Sequence, residues 1–429
     1  MNIIFARVVR GAVWKLLFYV SSFILNIVLA NFLGANGSGS LFYLLNNLGI
    51  AALLLSFGLE NTVSYFYSKK ILSKDLLYIF SIIWSALATI FFWLLLQFFP
   101  SLYQNSILQV SEFFLLVYVF GATCNTLISA LDYAQHKAVL ANSIPAVLNI
   151  LCMLFLFGWF RINGSANAAD VAIPVLLIPF ITAFFLILKR LNFGNVQWKL
   201  LKTIPKHFWM YSMQVYLAAL CLGLFTRVDI WVVGNFCSKM ALGNYILTTK
   251  FAQLTLFIPL LASFSLFPSY TQYAQRGTFV QHSVLQFSNL YFYLVLAFCT
   301  VVNIISQWLF PFLYGPTFVQ MPELFLLATP GIIAFATSYP FVSYFGASNQ
   351  NITTFRAAGE GLFIIVLSNV LLTPTAGIYG AAISFSIANL YFLFRIFYFF
   401  NKAYPFSFVQ LFSIPLLLQS INQMKKSIK

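Results

Sequence analysis

Apolar runs of about 20 residues, nearly free of charge, recur along this chain to beyond position 400, and no other feature constrains its fold as tightly. At 1.5 Å per residue, one such run crosses a hydrocarbon core of about 30 Å as a single helix. The runs lack the ten-residue alternation of a membrane barrel, so helices are the expected element. Only 7% of residues are charged, against roughly 25% in a soluble domain. The chain therefore reads as an all-α polytopic membrane protein.

Twelve spans are predicted, at about 12–33, 41–66, 75–99, 111–132, 139–160, 168–188, 208–234, 243–268, 286–310, 322–346, 355–373 and 377–400. The connectors are short, the longest running from Lys189 to Lys206, and leave no room for a soluble domain. The expected organisation is an N-terminal six-helix lobe (1–190), a cytoplasmic linker (191–206), a C-terminal six-helix lobe (207–400) and a basic tail (401–429). The apolar part of the tail is broken by Pro405 and Pro415. A thirteenth span would carry Lys425, Lys426 and Lys429 outside, so the tail is read as an interfacial helix at the inner face.

The net charge of +15 acquires meaning from its placement. With the N-terminus inside, nineteen of the 23 Lys and Arg residues fall at or near the inner face, Arg161 and Lys239 fall outside, and Arg227 and Lys250 fall within the membrane. The charge is thus topogenic and directed at anionic lipid headgroups, and nucleic acid is excluded as a partner. Both termini are expected in the cytoplasm. The basic start and first apolar run have no small-residue cleavage site and read as the first span. Cysteines 124, 152, 221, 237 and 299 show no CxxC spacing and read as small buried hydrophobes. Histidines 136, 207 and 282 show no ligand spacing, so no metal site and no cofactor is expected.

Three of the few intramembrane charges share one stretch, Leu222 to Lys250: Arg227, Asp229 and Lys250. Each costs roughly 2.5–3.5 kcal/mol at bilayer depth on insertion scales, so such groups are paired, cavity-facing or functional. Asp229 lies six residues before Asn235, and Lys250 seven after Gly243. Equal depth on antiparallel helices predicts an Asp229–Lys250 pair. Arg227 is two residues from Asp229, about 200° round the helix, and is the cation left for a ligand; its planar fork of donors suits phosphate. Lys15 and Glu60 lie about 30 Å from the outer turn and mark the inner mouth. Arg356 and Glu360, spaced i,i+4, read as a local ion pair. Asn142 and Asn149, with Asn46 and Asn47, read as interhelical glue.

Shifting the chain by 204 residues aligns Asn31-Phe32 with Asn235-Phe236, Gly39 with Gly243, and the second span with the eighth. An even number of spans separates the copies, which makes the halves parallel repeats about an axis along the membrane normal. Lys250 then has Asn46 as its equivalent, beside Asn47, and the two would offer amide hydrogen bonds.

The run LANFLGANGSGSLFYLLNNLGIAALLLSFGLENTVSYFYSKK (Leu29 to Lys70) resembles the start of the polysaccharide and oligosaccharide flippases, the O-antigen translocase branch of the multidrug/oligosaccharidyl-lipid/polysaccharide exporter superfamily. TRVDIWVVGNF and ALGNYILTTKF (Thr226 to Phe251), FPSY (Phe267 to Tyr270) and GIYGAAIS (Gly377 to Ser384) are similar to motifs of that family's second half. Glu60 and Asn61 stand where small or apolar residues are commoner there. No spans 13 and 14 follow, which sets aside the extra C-terminal groove of the lipid II flippases. The resemblance implies a V-shaped pair of lobes whose central cavity is lined by spans 1, 2, 7 and 8.

On this reading the cavity residues are Arg227, Lys250, Asp229, Lys15, Asn46 and Asn47, with Glu60 or Asp229 as the candidate for coupling Na⁺ or H⁺. The expected function is a transporter rather than an enzyme, with no catalytic residue. It is a flippase moving polyprenyl-pyrophosphate-linked oligosaccharide across a bacterial inner membrane, with other glycan-assembly membrane proteins as partners. The alternative is a Na⁺- or H⁺-driven small-molecule or multidrug exporter of the same architecture. A membrane glycosyltransferase or polymerase would need a large external catalytic loop, and the short connectors argue against one.

Overall fold

The computed structural model describes residues 2–98, 110–163, 167–190, 204–256, 278–348 and 350–418. They include twelve α-helices and two 3₁₀ turns, followed by a short helical stretch at 414–418. The first six helices are α1 (Asn2–Ser56), α2 (Leu59–Ser68), α3 (Lys74–Phe98), α4 (Glu112–Ala134), α5 (Ala138–Asn163) and α6 (Ala168–Arg190). The other six are α7 (Lys206–Phe225), α8 (Val228–Phe236), α9 (Lys239–Ala252), α10 (Thr278–Tyr314), α11 (Met321–Ala347) and α12 (Asn351–Ala403).

Nine helical stretches among the described residues are long and apolar enough to cross a membrane. Two of them, Val13–Ser56 and Ile352–Lys402, are 44 and 51 residues long. Each is divided by a non-helical glycine, Gly34 at φ 61° and Gly377 at φ 59°, and so supplies two spans, which brings the number to eleven. A side chain would be strained in that left-handed region, and glycine turns the chain there without penalty. The twelfth expected span is described as α9 and the 3₁₀ turn Gln253–Leu256. Its remainder, with Pro259 and Phe267–Tyr270, lies outside the described residues, as do most of the linker 191–206 and the tail beyond Leu418.

The chain divides into two compact units, Met1–Leu220 and Cys221–Lys429. This boundary differs from the lobe limits expected at 190 and 207, because it falls inside α7. The reason is packing within the first unit. Phe208 of α7 is fully buried in a cluster with Phe66, Leu77, Cys124, Leu131 and Leu186. Ser212 and Tyr216 bond to carbonyls at the end of α1.

In unit 1, Asn142 donates to the Gly11 carbonyl at 3.0 Å, and Asn149 donates to Ser21 and Ser22 at 3.1 and 2.9 Å. These are the interhelical bonds expected of them, tying α5 to α1. Asp132, fully buried at the end of α4, accepts from Arg190 at 2.9 Å and from Tyr78 at 2.7 Å. Leu87, Ile90, Phe91, Leu151, Leu154 and Phe155 are exposed on α3 and α5, as on a surface solvated by lipid.

In unit 2, Phe225, Phe341, Ala388, Phe392, Ile396 and Phe400 build the core from α7, α11 and α12. Glu360 pairs with Arg395 at 2.6 Å and accepts from Tyr391 at 2.7 Å, rather than forming the expected pair with Arg356. Glu360 stands 17 residues before Gly377 and Arg395 18 after it, so the two halves of α12 bring them to one depth. The tail begins with the 3₁₀ turn Phe408–Phe412 packed on the core, and 414–418 are helical. Asn289 donates to the carbonyls of Leu411 and Ser413 at 2.8 and 3.1 Å, Tyr293 donates to Phe412 at 2.7 Å, and Leu411 is fully buried.

Candidate functional site

Each unit contains a span interrupted in mid-course, and Glu60, Arg227 and Asp229 stand at the interruptions. In unit 1 the break is Phe57–Gly58, both in left-handed conformation, between α1 and α2. A helix broken inside a membrane frees carbonyls that neighbouring side chains must satisfy. Tyr216 donates to Leu54 at 3.1 Å, Trp84 to Leu55 at 2.8 Å, and Ser212 to Phe57 at 2.6 Å. Gly58 is required twice over: its φ is 67°, and a Cβ there would stand 2.8 Å from the Tyr216 nitrogen.

Glu60 follows in the first turn of α2, where a helix N-terminus favours negative charge. Its Oε2 is buried with no hydrogen-bond partner among the described residues, and so is Nδ2 of Asn46. Asn47 is half-buried on α1. Lys15, also half-buried, places its ammonium 4.9 Å from the centre of the Tyr133 ring, whose hydroxyl bonds Asn142. Lys15 is thereby part of the α1–α4–α5 packing.

In unit 2 the break is Thr226–Arg227, between α7 and α8. No glycine is used here. The Thr226 hydroxyl caps the Gly223 carbonyl at 3.0 Å, and the Arg227 amide closes on Leu224 at 3.0 Å. Asp229, 2% exposed, opens α8, with Oδ1 accepting from its neighbour's amide, Ile230, at 2.9 Å. Its Oδ2 accepts from the Tyr245 hydroxyl at 2.5 Å.

Among the described residues, Asp229 therefore forms no ion pair with Lys250. The turn between the helices lies at Cys237–Ser238, where Ser238 caps α9 by accepting from Ala241. Asp229 is eight residues before Cys237 and Tyr245 seven after Ser238, whereas Lys250 is twelve after it, about 6–7 Å deeper. The turn is tighter than the interval from Asn235 to Gly243, because the helix of Lys250 already begins at Lys239. Lys250, half-buried, instead lies within the electrostatic reach of Arg227. The interruption thus gathers two cations, with the nearby acid held by a phenol.

A cavity of about 200 Å³ adjoins the same break and is lined by Phe225, Thr226, Asp229, Thr249, Gln253, Phe335 and Asn389, among others. Tyr245 and Asn389 escaped the sequence reading, since a tyrosine or asparagine in an apolar run carries no charge signal. Asp132 with Arg190, the buried pair of unit 1, was legible in principle as opposite charges near the ends of two spans.

This arrangement of paired and interrupted spans is a fold shared with solved transporters and a flippase. The lipid II flippase MurJ in its inward closed conformation superposes with a TM-score of 0.76 at 13% identity, over 97% of this chain and 91% of MurJ. A point mutant of the Vibrio cholerae MATE transporter VcmN gives 0.66 at 15% identity over 96% of this chain and 99% of VcmN. The inward-facing conformation of a multidrug resistance MATE family transporter of the MOP superfamily gives 0.67 at 15% identity, over 91% and 97% of the two chains. Each of these is a transporter or a flippase, and at such identities the likeness is one of fold. The sequence matches no established family profile and no curated protein.

Proposed function

We propose that this chain is a transporter, not an enzyme, and that it flips a polyprenyl-pyrophosphate-linked oligosaccharide across the bacterial inner membrane by alternating access. Both termini would be cytoplasmic, and the chain would work beside other glycan-assembly membrane proteins and anionic lipids. The fold shared with a lipid II flippase supports a lipid-linked substrate. The observation that carries the reading is the break of unit 2, where Arg227 stands at the start of α8, Asp229 is engaged by Tyr245, and Lys250 lies in the last turn of α9. Cations at membrane depth are costly to place in hydrocarbon, and a doubly charged anion such as pyrophosphate suits them. Discontinuous helices are where transporters of several folds bind substrate. Within unit 1, Asn46, Asn47 and Lys15 are proposed separately as substrate-contacting residues. Glu60, with its unpartnered oxygen, and Asp229, on the cavity wall, are the proposed sites for coupling Na⁺ or H⁺.

The second reading is a Na⁺- or H⁺-driven multidrug exporter. Its support is the small cavity of unit 2, where Phe225, Phe335 and Phe385 surround Asp229, a lining suited to an organic cation.

One experiment separates them. In a strain lacking its own translocase, Arg227→Ala and Lys250→Ala should each lower glycan export at least tenfold at unchanged expression, with lipid-linked glycan accumulating on the inner leaflet. Undiminished export by both variants would remove the cation couple from the mechanism. Drug efflux abolished by Asp229→Asn, in a chain that does not restore glycan export, would establish the second reading instead.

A further inference from the structure

Unit 1 contains an open cavity of about 550 Å³ where α2 and α4 end, lined by Tyr67, Ser68, Lys70, Ser73, Lys74 and His136, among others. No acid lines it among the described residues. Both helices close in the same way. At α2 the Lys70 amide donates to Tyr67 at 2.8 Å and the Ile71 amide to Phe66 at 3.0 Å. At α4 the His136 amide donates to Tyr133 at 3.0 Å and the Lys137 amide to Asp132 at 2.8 Å. This is the Schellman closure, whose penultimate residue is left-handed and is usually glycine.

Here that residue is Lys70 at φ 58° and His136 at φ 56°. Only three non-glycine residues of the described chain have positive φ, and two of them line this one cavity. Attraction of a cation to a helix C-terminus does not explain the choice. A basic residue one turn earlier would supply it and leave glycine at the strained position. A third basic residue runs against its helix. Lys74 is the first residue of α3, at the end that favours anions, where Ser73 caps the Leu76 amide at 3.4 Å. A strained or unfavourable placement repeated at one site points to a ligand.

We propose that this cavity binds a phosphate group, held by the Lys70 and Lys74 ammonium groups, the His136 imidazole, the Ser68 hydroxyl and the start of α3. A phospholipid headgroup of the inner leaflet and free inorganic phosphate share that chemistry, and the lysine distribution directs this end of the unit to the cytoplasm. The proposal does not depend on the transport reading.

The test uses the full chain in phosphatidylcholine nanodiscs with and without phosphatidylglycerol, and in detergent with and without inorganic phosphate. Melting temperature and lipid adducts in native mass spectrometry are the readouts. The variants are Lys70→Gly with His136→Gly, which restores the usual residue at both strained positions, and Lys74→Gln. The wild type should melt several degrees higher with ligand, as any ligand of the native state requires. The variants should melt normally without ligand and lose most of that rise. A rise with phosphatidylglycerol alone assigns the site to a lipid headgroup, and one with inorganic phosphate in detergent to free phosphate. A rise retained in full by all variants, or absent from the wild type with both probes, would overturn the proposal.

Discussion

The hairpin about Gly34 in unit 1 and the α8–α9 hairpin in unit 2 are related by the 204-residue repeat, yet one is apolar where the other is charged. Asn31 and Asn235 are equivalent and do the same thing, donating to the carbonyls of Ile27 and Trp231 at 3.0 and 2.9 Å. Those two carbonyl residues are themselves 204 apart. At the positions of Asp229 and Tyr245, however, the first hairpin has Leu25 and Leu41, 5% and 0% exposed. The position of Arg227 is Phe23, and that of Lys250 is Asn46. The fold of this hairpin therefore does not require the acid–phenol pair. A buried polar pair that an apolar pair can replace is weak evidence for stability and better evidence for a role.

The comparison can be broken most directly at Tyr245. Tyr245→Leu leaves Asp229 buried with one partner, and unfolding in detergent or nanodiscs should show a loss of about 3 kcal/mol. No measurable loss would mean that the hydroxyl does not hold the acid. Adding Asp229→Leu rebuilds the pair found in unit 1. The double variant should return to within about 1 kcal/mol of the wild type, because no buried carboxylate is left short of a partner and only the Ile230 amide, in the first turn of α8, loses its acceptor. Its transport should remain lost; a stable double variant with full transport would make the pair dispensable. The smallest effect belongs to the shared feature. Asn31→Ala and Asn235→Ala should each cost about 0.6 kcal/mol, the average for hydrogen bonds measured in membrane helices. Markedly unequal losses would undo the local equivalence of the two hairpins.

The sites were legible to different degrees, and the residues show why. Arg227, Asp229 and Lys250 stood out because charge in an apolar run is rare. Asn142 and Asn149 took the roles that their placement suggested. The pairings were less legible. Glu360 was assigned to Arg356, its neighbour along the helix, and is bound by Arg395 across the Gly377 turn. Asp229 was assigned to Lys250 and is bound by Tyr245. In both cases the partner was decided by where the chain turns and which face looks across, and neither is encoded in the spacing of charges alone. The break at Phe57–Gly58 was also missed. FGL reads as a continuous span until Ser212, Tyr216 and Trp84 are seen to receive the freed carbonyls.

The sequence by itself determined that this chain lives in a membrane, how many times it crosses, and which residues carry charge into the bilayer. Those follow from hydrophobic length and from the cost of desolvating charge, both of which are local. Only the tertiary structure decided what each buried charge meets, where the spans break, and where Lys70 and His136 are held in strained conformations around a common cavity. A side chain's depth follows from a fixed rise per residue, whereas its partner depends on the helix packed against it.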